Sequence, residues 1–508
     1  MIRKHTIIAA LLGLCSMAST AKAQQLYMAD MTHPKREIRA VWLTTLKSLD
    51  WPQTKATDAA STERQKRELT DILDRLQAAG FNQVMLQTRA RGAGIYPSEI
   101  EPWYYSITGK YDTAPPYDPL AFAIEECHKR GMELHAWVVT LPCFDASEAK
   151  KVGRKSLWNT NRSWLRLHDE KYYLDPGLPQ VADYLASICT EIVSRYDIDG
   201  IHFDYIRYPE NGKNFPDDAT YKQYGKGQNK ADWRRDNVTR IVRHLYTTIK
   251  NIKPWVKVSS SPVGKYSDLA RFSAKGWNAR NAVSQDAQLW LREGIHDAIY
   301  PMMYFRGNNF FPFAADWQEN ASGRMVVAGL GTYFLDKREA GWPLVDIVRE
   351  FNFTRQIGMA GTCHFRSKYV TENQSGIYDY LKQYGQVYPA LVPAMTWVDN
   401  VAPSAPTNLR LTAQTKGMMH LAWDASTDDL SGNDVRYNVY ASTEWPVDIT
   451  RAENLVATAL RTPSYDYNLR QKVARGLYIA VTAMDRCGNE SAPATIDQPY
   501  VPKNLQSR

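Results

Sequence analysis

No part of this 508-residue chain is low in complexity, and after its first residues no run of 18 uninterrupted apolar residues occurs. Fibrous, disordered and multi-spanning membrane classes are thereby excluded. Cysteine is scarce. Beyond Cys15 there are Cys127, Cys143, Cys189, Cys363 and Cys487, an odd number at wide spacings without a CxxC, which argues against a disulfide scaffold or a structural zinc site. Charge of one sign is also weak: 62 Lys and Arg stand against 54 Asp and Glu, and three of the cations (Arg3, Lys4 and Lys22) fall in the leader. That balance is too mild for a nucleic-acid partner. No GxGxxG follows an early strand and no GxSxG elbow occurs, which disfavours a dinucleotide site and a Ser/His/Asp triad. Aromatic residues are what the chain has in excess. Its 15 Trp and 30 Tyr are of the type that lines sites stacking on flat, weakly charged ligands such as sugar rings.

Residues 1–23 read as a secretory signal peptide, with Arg3, Lys4 and His5 before an apolar run from Ile7 to Leu14, and Ala21-Lys22-Ala23 at the cleavage position. The mature protein is expected outside the cytoplasm, periplasmic or secreted, with no transmembrane segment. From residue 38 to 388 short apolar strands alternate with amphipathic stretches. Strands are expected at 39–45, 82–88, 133–138, 200–205, 256–261, 298–304, 325–330 and 361–365, with helices at 61–79, 119–130, 179–196, 231–252, 279–292 and 343–357. Strands separated by helix-length segments indicate βαβ units and a parallel sheet. Eight of them fit an α/β fold of the (β/α)8 TIM-barrel type, with an open doubly wound sheet as the competitor. After a Pro-rich joint, alternating strands at 419–423, 437–440 and 478–483 predict a small all-β sandwich. The expected division is 1–23 leader, 24–390 barrel, 391–402 linker and 403–502 sandwich.

A barrel carries its active site at the C-terminal ends of its strands, and residues two apart along a strand share a face. Polar residues collect where those conditions meet: Gln87 with Arg89, His135 with Trp137, His202 with Asp204 and the following Tyr205, then Tyr300, Met302 and Tyr304, and finally His364 with Arg366. Asp204 carries most weight. A carboxylate ending an apolar strand costs several kcal/mol unless paired or hydrated, so it pairs with Arg207 or Arg89, hydrogen-bonds a barrel tyrosine, or serves as a general acid or nucleophile at a glycosidic bond. Asp199, of opposite parity, belongs near the other rim. Three imidazoles could bind zinc, but His135, His202 and His364 form no HxH or HxxxH pair, so neither metal nor cofactor is expected. Trp103, Tyr104, Tyr105, Trp158 and Trp164 are candidate sugar-stacking platforms in long loops, and Ser259-Ser260-Ser261 offers hydroxyls without a carboxylate.

Several runs, in order, carry a family resemblance. They are Arg39-Ala40-Val41-Trp42-Leu43, Tyr117-Asp118-Pro119-Leu120, Arg130 to Trp137, Leu174-Asp175-Pro176-Gly177, Asp199 to Tyr205, Ser261-Pro262-Val263-Gly264 and Tyr300-Pro301-Met302-Met303-Tyr304. With them, residues 36–388 resemble the glycosyl hydrolase-like 10 family of bacterial envelope barrels. That resemblance implies hydrolysis of bacterial glycan, in one branch of peptidoglycan strands stripped of stem peptides. The chain departs from the family pattern at Val138-Val139-Thr140-Leu141, at Asp175 and at Met302, and Ile206 stands where chitinase-type barrels carry their acid glutamate. Residues from Pro406 through Trp423, Tyr437 and Tyr440 to Ser491 resemble a fibronectin type III domain, a module that spaces or binds.

These readings combine into an exported glycoside hydrolase acting on a polysaccharide or oligosaccharide that contains N-acetylhexosamine. Asp204 is the expected general acid. Gln87, Arg89, His135, Trp137, His202, Tyr205, Arg207, Tyr300, Tyr304 and His364 are expected to orient the sugar. The second catalytic group is sought among Asp175, Asp145 and Glu101, or in the substrate's own acetamido oxygen. The alternatives are a non-catalytic glycan-binding protein that uses the same rim and docks an envelope partner through its sandwich, and a metal-dependent deacetylase.

Overall fold

Strands whose alternate residues are apolar on both faces must be buried on both sides, and helix-length spacers return the chain for parallel pairing. The computed structural model, which describes residues 33–415, 417–468 and 476–500, shows that outcome. The leader read at 1–23 lies outside the described residues. Eight strands, Ile38–Leu43 (β1), Gln83–Arg89 (β2), Glu133–Val139 (β3), Gly200–Asp204 (β4), Lys257–Ser260 (β5), Ala298–Ile299 (β6), Met325–Leu330 (β7) and Gly361–Phe365 (β8), close a parallel ring in chain order. β8 returns to β1 in the register Ile38↔Gly361 to Trp42↔Phe365. Odd and even positions separate cleanly. In β4, Ile201 and Phe203 join the core between ring and helices, leaving His202 and Asp204 to the interior.

The helices start where the chain offers caps. Asp58 accepts from Ser61 N at the head of Ala59–Ala78 (α1), whose Leu69, Leu73 and Leu76 face the ring. Asp118 caps Pro119–Lys129 (α2) the same way, with proline in the first turn. Two expected elements are shorter than the pattern suggested. β6 stops at Ile299 because Pro301 has no N–H to give the ladder, and pairing resumes only as isolated bridges from Met302 to Val263 and Gly329. The helix expected at 279–292 splits into Ala279–Ala282 and Ala287–Arg292, since Ser284 takes a left-handed φ of 62°.

Between β3 and β4 the chain leaves the ring and builds a three-stranded antiparallel excursion, Pro142–Asp145, Leu165–His168 and Lys171–Leu174, with the last in the middle. The C-terminal part forms Thr407–Thr415 (β9), Met418–Asp424 (β10), Arg436–Ser442 (β11), Leu455–Leu460 (β12), Ser464–Asn468 (β13), Leu477–Met484 (β14) and Ala494–Tyr500 (β15). These make two antiparallel sheets, β9-β10-β13 and β12-β11-β14-β15, around a shared core of Trp423, Tyr437, Val439 and Val481.

The joint between the two parts is packed. Leu391 is backbone-paired to Lys35 and Glu37, and Met395 N donates to Cys487 O. Met395 and Cys487, both fully buried, enter the inner core of the barrel beside Ile38, Ala40, Met325 and Val327 and so close its N-terminal end. Around this plug Arg486 of the sandwich pairs with Asp197, Asp199 and Asp434, while Lys35 bonds Glu490 at 2.5 Å. Asp199 thus sits at the lower rim, bonding His128 and the backbone N–H of Leu134.

Candidate active site

At the opposite rim the strand ends surround a cavity of about 280 Å³. Its base and walls come from Gln87 of β2, Trp137 and Val139 of β3, Asp204 at the end of β4, Met302 and Tyr304 after β6, and Phe365 of β8. Thr44, Leu46 and Leu49 after β1, Arg91 after β2, Pro142, Lys171 and Tyr173 of the excursion, and Tyr205 complete the mouth.

Asp204 is held by three donors and still reaches the cavity. Its Oδ1 accepts from Ser261 Oγ at 2.9 Å and from Tyr205 N at 2.8 Å, and its Oδ2 accepts from Trp137 Nε1 at 3.2 Å. Its backbone carbonyl is fixed by both the N–H and the hydroxyl of Thr140. Burial raises the carboxyl pKa above the ordinary aspartate value, and the hydrogen bonds together with the nearby Arg207 only partly oppose that shift. A group so placed can hold a proton for a leaving oxygen.

Tyr205 follows with a left-handed φ of 52°, a strained choice for an aromatic residue. Its ring, 39% exposed, lies at the mouth with the Arg207 guanidinium 4.6 Å from its centroid. Tyr304 stands near Asp204, and burial with that neighbouring charge pushes its phenol up. Gln87 Oε1 accepts from Thr44 Oγ1, Thr45 N and Leu46 N, so its amide also clamps the loop after β1.

The floor beneath is a polar lattice. His202 Nε2 accepts from Trp42 Nε1 at 3.1 Å, so the ring carries its proton on Nδ1, which meets Ser259 Oγ at 2.9 Å. Burial lowers the His202 pKa well below the usual imidazole range, which keeps it neutral. Lower still, His135 Nε2 lies between Gln83 and Glu133, and Tyr300 donates to Gln83 Oε1 at 2.6 Å. His135, His202 and Tyr300 therefore support the site without lining it.

Beyond these three, five more expected site residues require correction. Arg89 does not reach the cavity: a register shift near the end of β2 turns it away, and it donates a fully buried pair of hydrogen bonds to Glu101 at 2.7 and 2.6 Å. That pairing, with Tyr184 donating to the same carboxylate, removes Glu101 from the candidates for second catalytic group. Asp175 is likewise consumed by Thr220, Gly177 N and Arg166. His364 shares its register level with the outward-facing Val41 and packs on Phe81; β8 turns Cys363 and Phe365 inward, and Phe365 reaches the cavity. Arg207 is buried beneath Tyr205 and bonds the backbone of Tyr208, with no direct pair to Asp204. Arg366, the other residue read on that face, pairs with Asp50. Asp145 remains near the mouth, 3.3 Å from Arg91.

The expected stacking platforms also lie elsewhere. Tyr104 and Tyr105 cluster with Tyr111, Trp158 carries the Arg162 guanidinium, and Trp164 meets Tyr184. Trp103, half-buried, is in none of these clusters and does not line the cavity. The aromatic walls are instead Trp137, Tyr173, Tyr205, Tyr304 and Phe365. Tyr173, Phe365, Arg91 and Lys171 line the cavity, and none of them stands out in the sequence pattern. Lys171 and Tyr173 do alternate along a Lys-Tyr-Tyr-Leu run, the one local signal that could have marked them.

A family model described as Glycosyl hydrolase-like 10 matches residues 37–328, a span that includes Asp204. Glycosyl hydrolase YngK of Bacillus subtilis (strain 168) is 33% identical over 482 residues, covering 90% of this chain and 92% of the relative. Glycosyl hydrolase DigH of Escherichia coli (strain K12) is 32% identical over 415 residues, covering 74% and 94% respectively. Among solved structures, the PgaB (BpsB) glycoside hydrolase domain from Bordetella bronchiseptica superposes with a TM-score of 0.45 at 14% identity, over 69% of this chain and 99% of that one.

Proposed function

The chain belongs to the glycosyl hydrolase-like 10 family, and from that premise we propose that it is an exported glycoside hydrolase cleaving a glycan that contains N-acetylhexosamine, with peptidoglycan glycan strands the leading candidate. One observation carries the reading: a buried carboxyl, Asp204, with a raised pKa at the base of an aromatic-walled cavity on the C-terminal rim. Asp204 protonates the leaving glycosidic oxygen as the bond to the anomeric carbon breaks. Trp137, Tyr304 and Phe365 bound the sugar, and Gln87 and Tyr205 meet its polar edge.

Asp204 is the one carboxylate among the described residues lining the cavity. This favours the substrate's acetamido oxygen as the group that attacks the anomeric carbon; Asp204, now ionised, then takes a proton from a water whose oxygen bonds to that carbon as the acetamido oxygen leaves it. Products then keep their anomeric configuration. An inverted product would instead give the second role to Asp145 acting through water. The sandwich and the leader read at 1–23 fit an envelope protein, the sandwich being of the fibronectin type III kind.

The test is the release of reducing ends from purified glycan strands by wild type and Asp204→Asn. Loss of about 10²-fold or more in kcat is expected, and an undiminished rate would remove Asp204 from the mechanism. A protein that binds the strands yet releases no ends over time would be the non-catalytic glycan binder.

A further inference from the structure

Asp204 changes charge during the reaction just described, and the fold has to accept both forms. As the glycosidic C–O bond breaks, its electron pair stays on the leaving oxygen, the Asp204 proton passes to that oxygen, and the carboxyl is left as a buried anion. Its three fixed donors are all neutral: Ser261 Oγ after β5, Tyr205 N and Trp137 Nε1 of β3. The phenols of Tyr205 and Tyr304 lie near it, and burial keeps both uncharged. His202 on the same strand is neutral, and Arg91 and Lys171 stand at the mouth of the cavity.

A buried cation stands close by with few partners of its own. Arg207 is 3% exposed. Its Nε has no hydrogen-bond partner among the described residues, and Nη1 reaches Tyr208 O only at 3.4 Å. Among the described residues the one carboxylate within 4.0 Å is Glu210, at 3.5 Å and on a largely exposed side chain. Two aromatic rings hold the guanidinium instead, with centroids 4.6 Å (Tyr205) and 5.7 Å (Trp277) away, and the Tyr173 phenol also feels its charge. A charge this far from water is costly unless an anion accompanies it. Burial raises the Asp204 pKa, and after the Ser261 hydrogen bond the Arg207 charge is the strongest influence against that rise.

We propose that Arg207 is a positioning residue for the reaction, a cation caged between Tyr205 and Trp277 that stabilises the carboxylate Asp204 becomes once its proton has left, without touching the sugar. The proposal rests on the glycoside-hydrolase reading and deepens it. While Asp204 holds its proton the guanidinium has little to act on, and as the proton departs it gains a counter-charge, so the interaction favours the transition state over the ground state. The cage also sets a limit. A direct ion pair would keep Asp204 ionised at rest and spoil it as an acid, whereas a guanidinium held by two rings moderates the carboxyl without taking its proton.

The test follows reducing-end release from purified glycan strands across pH, using the full-length protein as wild type, Arg207→Met and Arg207→Lys. Activity that needs protonated Asp204 falls as pH rises through its pKa. Removing the cation raises that pKa, so the alkaline limb of kcat/KM in Arg207→Met is expected to move up by about one pH unit. On the plateau kcat is expected to fall about tenfold with KM little changed. Arg207→Lys keeps the charge and is expected to restore the limb and most of the rate. A residue that only supports the Tyr205 ring would lose rate in both variants and leave the limb in place. That result, or an unchanged kcat in Arg207→Met, overturns the proposal.

Should wild type release no ends, the hydrolase reading falls, and the charge coupling is then decided on the Asp204 carboxyl itself, titrated through the infrared carboxylate band that Asp204→Asn lacks. A higher midpoint in Arg207→Met than in wild type and Arg207→Lys sustains the coupling, and equal midpoints end it. Melting curves establish that the variants are folded. If Arg207→Met does not fold, Arg207→Gln, which keeps polar atoms in the cage without the charge, carries the same comparison.

Discussion

At the scale of single residues, the chemistry turns on which polar groups are satisfied. Asp204 keeps three donors and a face to the cavity, whereas Arg89 and Glu101, equally buried, neutralise one another. His364 is the opposite case. It is fully buried on the outer side of the ring, neither ring nitrogen has a partner among the described residues, and burial holds its pKa at about 3. Unfolded, the same imidazole titrates near 6.5. Between those values the unfolded chain binds a proton that the folded one does not, so stability falls as pH drops through the window. The penalty at pH 5 is about 2 kcal/mol. Replacement by phenylalanine keeps the shape and deletes the titration. Thermal melts of wild type and His364→Phe at pH 5 and 7.5 should show a smaller acid-induced loss in the variant. Parallel losses would mean that the ring is solvated or partnered.

At the scale of elements, strand parity was readable locally and strand environment was not. A period of two follows from the backbone, so Ile201/Phe203 and His202/Asp204 separate to opposite faces. Which face turns inward in β8 depends on its register with β1, which a five-residue strand does not carry by itself. The excursion was unread for another reason. Its central hairpin turns through Asp169 and Glu170, both at positive φ (45° and 61°), without the Asn-Gly or Asp-Gly pair that marks such turns. β4 also has a packing requirement at its first residue. A Cβ added at Gly200 would lie 2.3 Å from His135 Nδ1, an overlap that only a shift of strand or ring relieves. Gly200→Ala should therefore destabilise the barrel by about 1–3 kcal/mol in chemical denaturation. His135→Ala in the same chain should recover part of that loss, and an unchanged midpoint for Gly200→Ala would contradict the close packing of β3 on β4.

At the scale of the whole molecule, the C-terminal sandwich completes the barrel. Met395 and Cys487 fill the end that the strands leave open, and Arg486 is buried among three acids drawn from both parts. Removing one side of such a network deprives the buried Asp199 of a cationic partner and leaves His128 and Leu134 N to hold it. A chain ended after residue 393 should melt at least about 5 °C lower than the full chain and bind hydrophobic dyes through its exposed inner core. Identical melting curves would reduce the sandwich to an appended module.

The sequence alone determined the number and order of strands, the ring they form, the all-β nature of the C-terminal part and the placing of Asp204 at a strand end. All of these follow from local periodicities and spacings. Only the tertiary structure decided the rest: that Arg89 is claimed by Glu101, that Phe365 rather than His364 faces inward, that Arg91 and Lys171 both line one mouth, and that Met395 and Cys487 close the N-terminal end of the barrel. The physical reason is competition. A buried charge takes whichever partner the fold brings within hydrogen-bonding distance, and that distance depends on register and packing between residues far apart in the chain.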